Sequence, residues 1–365
     1  MQTPYKKESI EFFLNSIKSQ VRALSGYEAP PQGRVIAKLN QNENPYDLPS
    51  SIKKEILDEM RKSSWTMYPI YGSPTLQKRL ADRVGLNPDQ VLVGHGSNQL
   101  LYATVTATVS PSDPVVINPP SFSLFELITR IYQGRIVPVF QKEGFSYDTE
   151  KLLKAVQTAK LTMICSPNNP TGQVMDLDLL EQILNQTSGL VLWDEAYGEF
   201  WGKSAIPLIN KHPNLLIMRT FSKAFGMAGI RIGYLTGHPR LIDEIQKVIV
   251  PYNINLFNQI AATRMLENMD WVETHIQKIM AERKLLFDKM KTLPRVIPFP
   301  SEANFISFRV PDGPGILNRL KELGILVRNM GSYFMMENCL RVTIGKPEEN
   351  QVFFEALQEI TKDKL

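Results

Sequence analysis

Short apolar runs rich in β-branched residues recur through the middle of this chain. They are VLVG, PVVIN, RIVPVF, LTMIC, LVLWD, LLIMRT and IRIGYL, and all lie between residues 91 and 235. Between most of them apolar residues recur at helical spacing, as in Leu124, Leu127 and Ile131. This alternation predicts an α/β fold with a mainly parallel seven-stranded sheet that helices cover on both faces.

The pattern changes after about residue 260. There it predicts a long amphipathic helix from Ala261 to Met290, then the strands NFISFRV, ILVRNM and CLRVTI and a closing helix. Because single cores stop growing at roughly 250 to 300 residues, two domains are expected. We predict an N-terminal arm over 1–47 that packs on the small domain or a partner subunit, a large domain over 48–258 and a small α+β domain over 259–365.

Composition narrows the classes of partner and compartment. The 41 basic and 37 acidic residues are spread along the chain, without the basic stripe that nucleic-acid binding needs. Residues 1–30 are interrupted by charges and lack the apolar core of a signal peptide or membrane span. Cys165 and Cys339 are far apart, which favours a reducing compartment over a disulfide scaffold. The expectation is a cytoplasmic protein with no nucleic-acid or membrane partner.

Polar motifs follow the predicted strands, and the most informative is FSKAFGMAGIR after LLIMRT. It places Thr220, Ser222 and Lys223 at a strand end and Arg231 eight residues beyond the lysine. Hydroxyls and a guanidinium make a phosphate site. A lysine beside such a site can condense with a carbonyl if its ammonium pKa is lowered. A surface lysine is the ordinary alternative.

Three further motifs end neighbouring strands. In DEAY, Asp194 lies at the mouth of a buried strand and needs a cationic partner such as a protonated pyridine nitrogen, although it could equally cap a helix. Tyr197, also in DEAY, and Asn169, in SPNNPTG, could both hydrogen-bond a phenolic oxygen on such a ring. The ordinary alternatives are a core aromatic for Tyr197 and a loop residue for Asn169. GHGSNQ at 94–99 resembles a phosphate cup at a helix N-terminus.

In their order and spacing these motifs resemble the set found in the fold type I aminotransferases, the aspartate aminotransferase superfamily. Within it the chain is similar to the histidinol-phosphate aminotransferases over nearly its entire length. The segments VRALSGYEAP, KLNQNENP, YPIYGSPTLQKRL, ANFISF, ILVRNM and CLRVTIG continue the match. The resemblance implies pyridoxal 5'-phosphate as cofactor, and transfer of an amino group from L-glutamate to imidazole acetol phosphate in histidine biosynthesis, giving L-histidinol phosphate and 2-oxoglutarate.

The resemblance also implies residue roles. Lys223 would carry the cofactor as a Schiff base and act as general acid and base, Asp194 would pair with the pyridine nitrogen, and Asn169 and Tyr197 would bind the phenolic oxygen. The residues implied around the cofactor phosphate are Gly96, Ser97, Asn98, Thr220, Ser222 and Arg231. Tyr68 matches a tyrosine that reaches the cofactor of the neighbouring subunit, which implies a homodimer.

Substrate residues are implied at four positions. Arg341 resembles the arginine that binds the substrate carboxylate, Tyr27 and Arg328 match positions at the substrate's phosphate end, and Asn44 lies in the arm segment that covers the site. The chain departs from the usual pattern in YPI for YPD, in GHGSNQ for GNGSDE and in Phe122, where a tyrosine usually stacks on the cofactor.

Three other functions are compatible with parts of this pattern. One is another aminotransferase of the same subgroup, acting on aromatic amino acids. Another is a lyase resembling threonine-phosphate decarboxylase, which shares the cofactor motifs. The third is an aminotransferase-like sensor module of a transcription regulator, for which the arm ahead of the cofactor motifs is expected to be too short.

Overall fold

A computed structural model describes residues 10–24, 26 and 35–362. The helices are α1 (Ile10–Leu14), α2 (Ser19–Arg22), α3 (Ser50–Lys62), α4 (Pro74–Val84), α5 (Gly96–Thr108), α6 (Ser123–Ile131), α7 (Thr149–Val156), α8 (Leu177–Gln186), α9 (Gly198–Trp201), α10 (Pro239–Gln246), α11 (Leu256–Leu266), α12 (Met269–Met290), α13 (Gly313–Glu322) and α14 (Pro347–Lys362). The strands are β1 (Ala37–Lys38), β2 (Val91–Gly94), β3 (Pro114–Ile117), β4 (Arg135–Pro138), β5 (Leu161–Cys165), β6 (Leu190–Asp194), β7 (Leu215–Thr220), β8 (Gly233–Thr236), β9 (Ile297–Pro298), β10 (Phe305–Arg309), β11 (Ile325–Leu326), β12 (Arg328–Asn329) and β13 (Cys339–Thr343).

The largest sheet has seven strands in the order β2-β8-β7-β6-β5-β3-β4. Its strands are parallel except β8, which runs antiparallel to both β2 and β7. Every residue of β5 and β7 is buried, as expected of central strands that are covered on both faces. The predicted α/β class with a mainly parallel seven-stranded sheet is confirmed.

The strand register brings three strand ends to one edge of this sheet. Cys165 at the end of β5 lies opposite Asp194 at the end of β6, and Asp194 lies opposite Met218 of β7. The segments that follow, 166–172, 195–198 and 221–231, therefore leave the sheet side by side. Open α/β sheets bind ligands at such an edge, because loops and helix N-termini converge there.

The antiparallel strand β8 brings a fourth segment to the same edge. Thr220 lies opposite Gly233, which begins β8, and Gly233 also lies opposite Gly94, which ends β2. The residues just before Gly233 and just after Gly94 consequently meet beside Thr220. These are the segment around Arg231 and the N-terminus of α5.

The C-terminal part forms a four-stranded antiparallel sheet in the order β12-β13-β10-β9. In a separate two-stranded sheet, β1 pairs in parallel with β11, so that Ala37 lies opposite Ile325. The segment that contains β1, which precedes the large sheet in sequence, is thus attached to the C-terminal part. The boundaries proposed at residues 47 and 258 stay a prediction.

The prediction of one continuous helix from Ala261 to Met290 is wrong in one respect. It is two helices, α11 and α12, with a break at 267–268. The Asn268 side chain donates to the carbonyl oxygen of Arg264 at 2.8 Å, in the place of a helical backbone amide. Asparagine competes with the backbone in this way, which is why helical periodicity alone did not reveal the break.

Among the described residues, no helix combines the length and the apolar character that a membrane crossing requires.

Candidate active site

Arg231 is at the centre of a cationic cluster at the edge of the large sheet. Its Nη1 donates to Ser222 Oγ at 3.3 Å, and Ser222 is also hydrogen-bonded to Thr220, with 3.1 Å between the two hydroxyl oxygens. A Cβ at Gly96 would lie 2.7 Å from Arg231 Nη2, and Gly96 has a φ of +75°. Only glycine suits this position, because a side chain would fill the space in front of the guanidinium.

The N-terminus of α5 supplies backbone amides to the same cluster. The backbone nitrogen of Ser97 lies 2.4 Å from where a Cβ at Gly233 would be, so the backbones of α5 and β8 approach closely. Ser97 is half-buried and Asn98 is exposed in the first turn of this 13-residue helix. Helix N-termini favour anions, so these amides and Arg231 together form a site that suits a phosphate group.

Lys223 extends from the loop after β7 toward the interior. Its Nζ donates to the carbonyl oxygen of Gln41 at 3.0 Å and lies 5.9 Å from the centre of the Tyr197 ring. Burial, and then the positive charges of Arg341 and Arg231, lower the pKa of the Lys223 ammonium to about 7. A large share of this side chain is therefore a neutral, nucleophilic amine at neutral pH.

Asp194 is buried at the end of β6, with 3% of its surface exposed. Its Oδ1 accepts from the backbone amide of Ala196 at 2.9 Å. Burial raises the pKa of its carboxyl to about 7, although Lys223 acts in the opposite direction. A cationic group placed against Asp194 would restore the ionised form, so the site suits a ligand that carries a protonated nitrogen.

Tyr197 lies beside Asp194 and is buried, with its ring packed edge-on against Phe305. Its Oη accepts a hydrogen bond from Asn42 Nδ2 at 2.9 Å. Burial raises the pKa of the phenol, so that it stays protonated and keeps one proton to donate.

Asn169 connects this site to the C-terminal sheet. Its Oδ1 accepts from Arg341 Nη1, so its amide nitrogen is the group left to donate elsewhere. Arg341 is buried, and its Nη2 donates to the carbonyl oxygen of Asn40 at 3.2 Å. Among the described residues its Nε has no hydrogen-bond partner. A buried donor without a partner costs roughly 1–3 kcal/mol, which an anionic ligand would recover.

A second arginine lies directly across the strand pair from Arg341. In the antiparallel pairing of β12 and β13, Arg328 lies opposite Arg341. The charge of Arg328 contributes to lowering the pKa of Arg341, after burial, which is the main cause. Like charges directly opposite each other destabilise a sheet, so this pair favours binding of an anion.

Two further residues that the sequence singled out have other ring contacts within the chain. Tyr68 is 80% exposed, and its ring stacks on Tyr252 with 4.6 Å between the centres. Phe122 is half-buried and packs edge-on against Phe125. Tyr27 lies outside the described residues.

Asn44 has structural partners. Its Nδ2 donates to the carbonyl oxygen of Ala224 at 3.0 Å, and its Oδ1 accepts from the amide of Tyr46 at 3.0 Å. The asparagine that contacts a predicted catalytic residue is Asn42, which the sequence reasoning missed. A signal was present in KLNQNENP, where asparagines occupy three alternate positions, but it does not tell which of them faces the site.

The donor set fits pyridoxal 5'-phosphate. A phosphate fits the Arg231 cluster, a pyridinium fits the buried Asp194, an aldehyde fits the amine of Lys223, and a phenolic oxygen fits the donors on Tyr197 and Asn169. In that arrangement Asp194 would gain a cationic counterpart, and Tyr197 and Asn169 would gain an acceptor.

Comparisons with known proteins agree with this donor set. The family model described as "Aminotransferase class I and II" matches residues 34–357. A histidinol-phosphate aminotransferase of Chlorobium chlorochromatii is 36% identical over 99% of both chains, and one of Chlorobaculum tepidum is 37% identical over 88% of this chain and 94% of that one. The crystal structure of the Sinorhizobium meliloti histidinol-phosphate aminotransferase in complex with pyridoxal-5'-phosphate has a TM-score of 0.84 at 24% identity, covering 95% of this chain and 97% of that one.

Because a family model covers most of the chain, and relatives above 30% identity cover nearly all of it, membership of the family is established. Members of this family transfer amino groups with pyridoxal 5'-phosphate as cofactor. The chain therefore belongs to the class I and II aminotransferases and is a pyridoxal-phosphate-dependent transaminase.

Proposed function

We propose that this transaminase interconverts L-histidinol phosphate and 2-oxoglutarate with imidazole acetol phosphate and L-glutamate, as a step of histidine biosynthesis. The observation that carries the proposal is the arginine pair, Arg328 opposite Arg341, of which Arg341 lies near enough to Lys223 for its charge to lower the pKa of the lysine. A substrate with a phosphate and a substrate with two carboxylates must use the same pocket in turn, and paired guanidiniums bind both kinds of anion. The names of the Chlorobium and Chlorobaculum relatives support the same choice.

In this proposal Lys223 carries the covalent and proton-transfer steps. When bound, pyridoxal 5'-phosphate supplies an aldehyde carbon that takes up the amino group and a ring that accepts the electron pair of the substrate α-carbon. Lys223 would hold the cofactor covalently and, once freed as a neutral amine, would take the proton from the substrate α-carbon and give it to the carbon that held the aldehyde. Its lowered pKa keeps a large fraction in the proton-accepting form at neutral pH.

The other cofactor contacts in this proposal are those that the sequence motifs predicted. Asp194 holds the proton on the ring nitrogen, and Tyr197 and the Asn169 amide donate to the phenolic oxygen. Phe122 stacks on the ring. The cofactor phosphate is bound by Gly96, Ser97, Asn98, Thr220, Ser222 and Arg231.

The substrate contacts are assigned in the same way. Arg341 binds the substrate carboxylate with the buried Nε that has no partner among the described side chains. Arg328 adapts to the phosphate of one substrate and the distal carboxylate of the other. Tyr27 is proposed to bind the substrate's phosphate end together with Arg328, and Asn44 is proposed to lie in the arm segment that covers the site.

The proposed substrate is tested by the first half-reaction. Enzyme loaded with cofactor is mixed with histidinol phosphate, glutamate, phenylalanine, tyrosine or threonine phosphate, and conversion of the bound cofactor is followed by absorbance. We expect the rate constant divided by the substrate's Kd to be at least about 100-fold higher for histidinol phosphate than for the aromatic amino acids. An ion pair made by the substrate phosphate supplies this preference, because a factor of 100 is roughly 2.7 kcal/mol.

Two outcomes of this assay would contradict the proposal. A preference for phenylalanine or tyrosine over histidinol phosphate would assign the chain to aromatic amino acids. Release of carbon dioxide from threonine phosphate without a keto acid would assign it to the decarboxylases. The L-threonine-O-3-phosphate decarboxylase from Porphyromonas gingivalis, with a TM-score of 0.77 at 22% identity, shares the fold.

We further propose that the enzyme is a homodimer in which Tyr68 completes the partner's cofactor site. Tyr68 belongs to an exposed apolar surface that a second copy of the chain would cover. The most exposed large side chains of this surface are Trp65, Met67, Tyr68, Ile70 and Val250, each more than 70% exposed. Tyr68 lies on this surface rather than in its own chain's cluster, as a residue donated to a partner would.

Complementation between two inactive variants tests this arrangement. Lys223→Ala and Tyr68→Ala subunits are unfolded together and refolded as a mixture. Each mixed dimer would contain one site with both substitutions and one intact site. Random pairing makes about half of the dimers mixed, so activity is expected to recover to about a quarter of wild type. Two separately refolded samples combined at the end are the control. No recovery in the co-refolded mixture would contradict the placement of Tyr68.

The proposed location is the cytoplasm. Cys165 and Cys339 are both buried free thiols, as expected in a reducing compartment.

A further inference from the structure

Asn42 contacts a predicted catalytic group but was not among the predicted site residues. It is 1% exposed and has a φ of 55°, in the left-handed region. Its Nδ2 donates to Tyr197 Oη at 2.9 Å, across 155 residues of sequence. A buried side chain with this backbone conformation is held in place by its surroundings.

Thr343 determines which way the Asn42 amide points. The backbone amide of Asn42 donates to Thr343 Oγ1 at 2.9 Å, and that hydroxyl donates to Asn42 Oδ1 at 3.2 Å. The hydroxyl of Thr343 thus accepts from the Asn42 backbone and gives its one proton to the Asn42 side-chain oxygen. With Oδ1 bonded to that hydroxyl, the Asn42 NH2 group is directed at Tyr197 Oη.

This orientation in turn restricts the proton of Tyr197. Burial keeps the phenol protonated, so Oη has one proton. Asn42 donates to Oη and has no acceptor facing it, so the phenol proton has to point elsewhere. Lys223 Nζ lies 5.9 Å from the centre of the Tyr197 ring. A hydrogen-bond acceptor on a group attached to that amine would therefore lie close to the phenol.

We propose that Asn42 is a positioning residue: by donating to Tyr197 Oη, it directs the phenol proton toward the phenolic oxygen of the cofactor held on Lys223. The inference rests on the proposed roles of Tyr197 and Lys223. Through its bond to Thr343, Asn42 also links Tyr197 to the strand that carries Arg341, because Thr343 is two residues beyond Arg341 on β13. The Asn42 carbonyl is held by Asn304 Nδ2 at 3.1 Å, just before β10.

The consequence is measurable in the absorbance of the cofactor-loaded enzyme. A hydrogen bond to the phenolic oxygen stabilises its negative charge most once the nitrogen that joins Lys223 to the cofactor has lost its proton. The bond therefore lowers the pKa of that nitrogen, and loss of the bond raises it. Loss of a hydrogen bond to a charged oxygen corresponds to about one to two pKa units.

The test is a spectroscopic pH titration of wild type, Asn42→Gly, Tyr197→Phe and the double variant. Glycine adopts a positive φ freely, so Asn42→Gly removes the side chain while keeping the backbone conformation. We expect the pKa to rise by about half to one unit in Asn42→Gly and by about one to two units in Tyr197→Phe. In the double variant the shift should equal that of Tyr197→Phe alone, because Asn42 acts only through the phenol.

Asn338→Gly is the matched control. Asn338 also has a left-handed φ, of 57°, but its side chain accepts from the backbone amide of Gly313 instead of contacting a site residue. Its substitution should leave the titration unchanged. Asn42→Asp is the second variant, in which a carboxylate keeps the bond to Thr343 but accepts the phenol proton. In this variant the pKa of the nitrogen that joins Lys223 to the cofactor should rise further than in Asn42→Gly.

The outcomes separate this inference from the proposed function. An unchanged pKa in both Asn42 variants, or a double variant whose shift is the sum of the two single shifts, would overturn the role of Asn42. If wild type never develops the absorbance of a lysine-bound cofactor, the role of Lys223 itself is wrong. A normal wild-type titration with unaffected Asn42 variants leaves Lys223 in place and removes only the positioning role.

Discussion

Replacing Lys223 by alanine is expected to abolish the absorbance of the lysine-bound cofactor and to lower transaminase turnover by at least about 10⁴-fold. The substitution removes the nucleophile and the proton-transferring amine together, and acid–base catalysis alone is worth about 10² to 10⁴. Arg231 and its hydroxyl partners remain, so cofactor is still expected to bind without the covalent link. The measurements are an absorbance spectrum after dialysis and a steady-state rate.

Lys223→Ala is also expected to fold. The Lys223 side chain donates a hydrogen bond to the carbonyl oxygen of Gln41, and its pKa of about 7 lies below the 10.5 of an ordinary lysine. The unfolded chain therefore holds the proton more tightly than the folded chain between these two pH values. The resulting cost to folding is full below about pH 7 and fades as the pH rises to 10.5. Without cofactor, the free energy of unfolding of Lys223→Ala at pH 6 should be at least as large as that of cofactor-free wild type.

Two comparisons make the Lys223 result specific. Lys223→Arg keeps the positive charge but not the primary amine and should be as inactive as Lys223→Ala. Lys247→Ala removes an exposed lysine from the end of α10 and should retain wild-type activity within about twofold, as surface substitutions usually do. A Lys223→Ala enzyme that keeps the absorbance of a covalently bound cofactor would show that another lysine carries it.

Replacing Asp194 by asparagine is expected to slow α-proton removal by about 10³-fold, or roughly 4 kcal/mol in the barrier. Asparagine has the same shape, and its Oδ1 can still accept from the Ala196 amide. What it lacks is the negative charge that holds a proton on the ring nitrogen, without which the ring accepts electrons poorly. Cofactor content should change little, because Lys223 and the phosphate cluster are untouched.

Single-turnover kinetics with α-deuterated and unlabelled substrate measure this step directly. Asp194→Asn should show a larger kinetic isotope effect than wild type, because proton removal becomes limiting. Asp82→Asn, at an exposed position on α4, is the control that removes a carboxylate without touching the site. A rate near that of wild type in Asp194→Asn would show that the ring nitrogen needs no buried carboxylate in this enzyme.

The seven strands of the large sheet were predicted to within a few residues. In β5, LTMIC is buried at each position, and a short continuous apolar run followed by turn residues is what a two-sided central strand requires. The positions of Asp194 and Lys223 at strand ends followed from the same reasoning. Such features are local, because each depends on a few neighbouring residues and on the covering of both sheet faces.

Longer-range features were not predictable in this way. The break between α11 and α12 depends on the Asn268 side chain taking the carbonyl of Arg264, whereas the apolar periodicity continues across it. The contact of Asn42 with Tyr197 was missed for a similar reason. The three asparagines of KLNQNENP are equivalent as sequence, and they differ only in what the rest of the chain places beside them.

The sequence by itself determined the α/β class, the strand ends at which chemistry occurs and the family with its cofactor. Periodicity and turn chemistry encode which faces are buried, and the motifs encode reactive groups, without reference to distant residues. Only the tertiary structure decided that Asn42 faces Tyr197, that Arg328 lies opposite Arg341 and that Lys223 is buried enough to have a pKa of about 7. Contacts and desolvation of this kind arise from packing between segments far apart in the chain, and no local pattern specifies them.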